Sequence, residues 1–101
     1  MAFDTHVLRV EGPKDLSSWY RSLVRAVQWL QRCHEAEIED NGFAIDPGLF
    51  VTSGVRGRLR SAEFTIWSDL PCELIIEHKR NSRDAEALEA HLLAFYCEEG
   101  T

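Results

Sequence analysis

The chain has 101 residues, 17 of them acidic against 11 basic, for a formal net charge of −6. That length leaves room for one domain only, so residues 1–101 are expected to fold as a single unit. A composition 45% hydrophobic and 28% charged is globular rather than disordered, and the negative balance disfavours indiscriminate binding to nucleic acid or anionic lipid.

Phe3, Val7, Leu8 and Val10 mark a first strand, broken by Glu11-Gly12-Pro13-Lys14-Asp15. Pro13 and Asp15 both suit a helix start, one because its missing N–H would be unpaired there, the other as a cap. Leu16, Trp19, Tyr20, Leu23, Val24, Val27 and Leu30 then recur at helical spacing, and the apolar arc runs on through Ile38. The pattern predicts a helix from Asp15 to Asp40, ended by Asn41-Gly42.

Phe43-Ala44-Ile45 and Leu49-Phe50-Val51 flank a Pro47-Gly48 turn and read as a hairpin or one interrupted strand. Val55 to Ser68 alternates in its second half, with Phe64 and Ile66 opposite Thr65 and Trp67. Ser68 to Pro71 turns the chain into a strand over Cys72–Lys79. Asn81-Ser82 is placed to cap a last helix, whose buried stripe is Ala85, Leu88, Leu92 and Phe95. The order β-α-β-β-β-α with short loops predicts an α+β fold, an antiparallel sheet with both helices on one face. A ferredoxin-like arrangement would need a further strand after the last helix.

No catalytic, cofactor-binding or metal-binding residue is assigned from the sequence. The four histidines and Cys33, Cys72 and Cys97 lack paired zinc spacing. Ser53-Gly54-Val55-Arg56-Gly57 lacks the Lys-Ser/Thr of a phosphate loop. Three widely spaced cysteines do not make a disulfide framework, no signal peptide is visible, and no apolar run approaches the ~20 residues that span a bilayer. A cytoplasmic protein that does not engage membranes is the expectation.

Three features point to binding instead. Ser22, Ala26, Trp29, Cys33 and Ala36 form a second stripe on the long helix, where Trp29 would either anchor a partner or be buried, on a helix covered on two sides or under a loop or the last helix. Glu35, Glu37, Glu39 and Asp40 gather at the expected C-terminus of that helix, where each exposed carboxylate costs about 0.3–1 kcal/mol against the dipole. A basic partner would offset that cost. Arg56, Arg58 and Arg60 share one face if their stretch is a strand, poised for phosphate or an acidic partner. The lack of interleaved aromatic residues argues against nucleic acid. Acidic and basic segments packed side by side within the fold would also explain the segregated charge.

The function expected is therefore a non-catalytic protein-binding module. The class that fits is a small acidic inhibitor or neutralising partner, like bacterial immunity proteins or phage-encoded inhibitors. Trp29, Glu35, Glu37, Glu39 and Asp40 would carry the contact. The alternatives are a self-associating assembly subunit, such as a homodimer, and nucleic-acid binding through Arg56, Arg58 and Arg60.

Overall fold

The computed structural model describes residues 3–41, 54–79 and 83–98. Strand β1 (Phe3–Arg9) leads into helix α1 (Leu16–Cys33), followed by β2 (Glu37–Asn41), β3 (Val55–Leu59), β4 (Ala62–Trp67), β5 (Glu73–Lys79) and helix α2 (Arg83–Glu98). The five strands form one sheet in the order β1-β5-β4-β3-β2, and every neighbouring pair is antiparallel. The strands β1 and β2 are thus the two edges, and α1 links one to the other across a single face. The class is α+β, with both helices on that face.

Period-two alternation decides which face is covered. In β3, β4 and β5 the buried residues are Val55, Gly57 and Leu59, then Ala62, Phe64 and Ile66, then Leu74, Ile76 and His78. They meet Trp19, Leu23, Val27 and Leu30 of α1 and Leu88, Leu92, Phe95 and Tyr96 of α2 in one core. Gly57 sits where a Cβ would come within 2.6 Å of the Glu37 carbonyl and 2.8 Å of Ile38. Its missing side chain lets β2 and Phe64 close over that point.

Asp15 caps α1, its carboxylate accepting from the Ser18 amide at 3.0 Å. The other end departs from expectation. The helix stops at Cys33, seven residues before Asp40, because Glu35 turns left-handed at φ 55°. The Ala36 amide then donates back to the Leu30 carbonyl at 3.1 Å, and Glu37–Asn41 leaves as a strand. Ile38 keeps its inward place by alternation, not by helical spacing.

The stretch Val55–Ser68 is two strands, not one, folded about Arg60 and Ser61 with Arg60 at φ 55°. The expected hairpin at 43–51 and the Asn81-Ser82 cap lie outside the described residues.

Candidate functional site

The sheet face away from the helices has no covering element among the described residues. Its side chains fall into rows set by register. One row is apolar: Val7, Ile75 and Trp67 stand side by side on β1, β5 and β4. The next is Thr5, Glu77, Thr65 and Arg56, and beyond it Glu63, Arg58 and Glu37 align on β4, β3 and β2. Phe3 from one edge strand and Glu37 and Glu39 from the other line the same hollow of about 440 Å³. The face is therefore concave, with Val7 56% and Phe3 50% exposed.

This register places the acidic and arginine segments beside one another. Arg58 directs Nε and Nη2 onto one carboxylate oxygen of Glu37, the former at 3.1 Å. The Glu37 hydrogen bond and charge raise the Arg58 pKa, with Glu63 and Glu39 adding smaller contributions. Arg58 and Glu37 thus offset one another between β2 and β3. Glu35, Glu37 and Glu39 are exposed, and Asp40 pairs with Arg56 in register across a bulge. The helix-dipole cost expected for this run does not arise, because three of its four carboxylates sit in a strand.

Arg60 is separated from its two neighbours. Arg56 and Arg58 are on the open face, whereas Arg60 lies in the β3–β4 turn. There it lines a second cleft of about 670 Å³ with Arg32, Cys33, His34, Asp84 and His91.

Trp29 stands behind that cleft. Its ring packs edge-on to His34 at 4.6 Å between centroids, and against Phe95 at 5.4 Å and His91 at 6.4 Å. It is half-buried, with α2 packed against it. Ser22 and Ala26, from the same stripe, are fully in the core. His34 and His91 stack at 3.6 Å. Burial, then the His34 and Arg60 charges, hold the His91 pKa below its ordinary value.

On the opposite flank, three side chains distant in sequence meet: His6 of β1, His78 of β5 and Glu89 of α2. Their donor atoms all lie within 4.8 Å of one another. Sequence spacing gives no hint of this group, because it depends on the β1–β5 register and on where α2 crosses. The one legible sign is His78 itself, which alternates with Leu74 and Ile76 and so had to face inward.

No helix among the described residues is long and apolar enough to cross a membrane. Comparison with protein-family models, with curated proteins and with solved structures finds no match to this chain.

Proposed function

We propose that the protein is a non-catalytic binding module that docks a partner protein in the concave open face of its sheet. The observation that carries this is the Val7–Ile75–Trp67 row. It sets half-buried Trp67 and Ile75 in line with exposed Val7, flanked by charges of both signs. Protein interfaces combine an apolar centre, often with Trp, and a polar rim in this way. The partner would present an apolar side chain to Trp67 and a basic periphery to the acidic net charge, which suits the inhibitor or neutralising class. The free thiols of Cys33, Cys72 and Cys97 accord with a reducing cytoplasm as its setting.

Glu37 and Glu39 line this surface at its β2 edge, while Trp29 lies on the helix side, against Phe95 and His91. A second reading, self-association through the same face, draws on the presence of both glutamate and arginine rows, which a two-fold axis could match to one another. The charge of −6 on each copy opposes it.

The test is capture of binding proteins from the host with the wild-type chain and with Val7→Lys, alongside sedimentation at several concentrations. The expected outcome is a specific protein held by wild type and lost by the variant, with the free chain monomeric. Equal recovery of the same protein by both would remove the open face from the interface. Concentration-dependent dimerisation lost in Val7→Lys would establish the second reading.

A further inference from the structure

We propose that His6, His78 and Glu89 form a binding site for one divalent transition-metal ion of the Zn²⁺ class, tying the edge strand β1 to α2. The site is on the helix side of the sheet and is independent of the docking face.

The two imidazoles are brought together by register. Asp4 pairs with His78 and His6 with Ile76, which makes His6 and His78 diagonal neighbours on one face. Their rings stack at 5.0 Å with 15° between planes. Helix α2 carries Glu89 over the pair, its Oε1 lying 3.9 Å from His6 Nδ1 and 4.0 Å from His78 Nε2.

Three features of the group favour a metal over a simple ion pair. His78 Nδ1 lies 2.7 Å from the Lys79 carbonyl oxygen, a contact that requires the proton on Nδ1. In the neutral ring this leaves the Nε2 lone pair directed at the cluster. Backbone carbonyls orient metal-binding histidines in the same manner.

Next, Glu89 Oε1 is buried and has no hydrogen-bond partner among the described residues. A buried carboxylate oxygen without a donor is costly, and a cation between it and the two nitrogens would satisfy it.

The spacing is also informative. Separations of 3.9 and 4.0 Å are too long for N–H···O bonds. Ligands about 2.1 Å from a tetrahedral ion stand roughly 3.4 Å apart. These two edges would contract by about half an ångström, and the His6–His78 edge, within 4.8 Å, would close by a turn of the half-exposed His6 ring. Two imidazoles and one carboxylate suit Zn²⁺, Co²⁺ or Ni²⁺ rather than Mg²⁺ or Ca²⁺, which take oxygen ligands. The exposed side of His6 leaves room for water to complete the coordination.

Calorimetric titration of the full-length chain with ZnCl₂ tests the site. One ion per chain is expected, and Zn²⁺ should raise the melting temperature. His6→Ala and Glu89→Gln, one at a half-exposed position and the other shape-conserving, should each weaken binding at least ~tenfold and abolish the thermal shift. His91→Ala, in the separate His34–His91 stack, should bind as wild type does. In ¹⁵N spectra of the wild-type chain, Zn²⁺ should move the His78 Nε2 resonance and leave those of His34 and His91 in place. Absence of saturable binding, or undiminished affinity in both His6→Ala and Glu89→Gln, would overturn the assignment.

Discussion

Ser68 is buried, and it joins three parts of the molecule. Its Oγ accepts from Trp19 Nε1 at 2.8 Å and is 2.7 Å from the Glu73 carbonyl oxygen, to which it donates. Its own carbonyl accepts from the Tyr20 hydroxyl at 3.0 Å. Ser68→Ala removes the first two bonds and strands the indole N–H of a fully buried tryptophan, a loss of about 1–3 kcal/mol. Denaturant unfolding should show the midpoint falling without a change in slope. Ser68→Thr, which keeps the hydroxyl, should recover part of the loss. Gly57→Ala tests a different constraint. The added methyl meets backbone oxygen at 2.6 Å, which a side-chain rotation cannot relieve, so β2 must shift away. A cost of about 1–3 kcal/mol is expected, as for overpacked sites generally. It should come with faster amide exchange along Glu37–Asn41, the measurement that separates this effect from a general loss of stability.

Elements were legible where one physical pattern governed a whole segment. The α1 stripe, the alternation of β4 and the α2 stripe each reflect a single buried face, and that is enough to place helix, strand and helix. The end of α1 was not legible, because Ala36 and Ile38 are apolar at positions that fit both periods. The decision there is made by Glu35 adopting a left-handed backbone without glycine. The charge segregation was visible in the chain, but its resolution needed the β2–β3 register that sets Glu37 beside Arg58. The His34–His91 stack, which joins the end of α1 to α2, carries a pH prediction. The folded protein holds the His91 pKa below 6.5, so the unfolded chain takes up more protons once pH falls below that value. Stability from this group is therefore complete above about pH 6.5 and declines as pH drops toward the folded pKa. His91→Phe keeps the ring contact with Trp29 and removes the charge. Its melting temperature should fall less than that of wild type between pH 7 and pH 5.5. Asp15 and Asp84 act in a lower window. The Ser18 and Ser61 hydrogen bonds depress their pKa values below 3.8, so their contribution is present above that pH and lost as acid protonates them.

At the scale of the whole molecule, the proposed docking would use the sheet face opposite to the one that folds, and that separation is itself testable. The core lies entirely on the helix side, while Val7 stands 56% exposed on the other. Val7→Lys therefore deletes little buried area and places lysine on an edge strand, where it is well tolerated. The change in folding stability should stay within about 1 kcal/mol. Binding should respond far more, because a charge placed in the apolar row must be desolvated without a partner when the interface closes. Glu39→Lys, at the rim of the same face, should act differently. It should leave most of the affinity intact, slow association and alter the dependence on salt, since rim charges govern encounter more than the closed complex. Surface plasmon resonance of the two variants against the captured partner, at low and high ionic strength, reads both effects. Faster dissociation of Val7→Lys paired with slower association of Glu39→Lys fixes the orientation of the partner on the sheet. If Val7→Lys instead unfolds the chain while Glu39→Lys changes nothing, the open face serves folding alone, and docking on it is excluded.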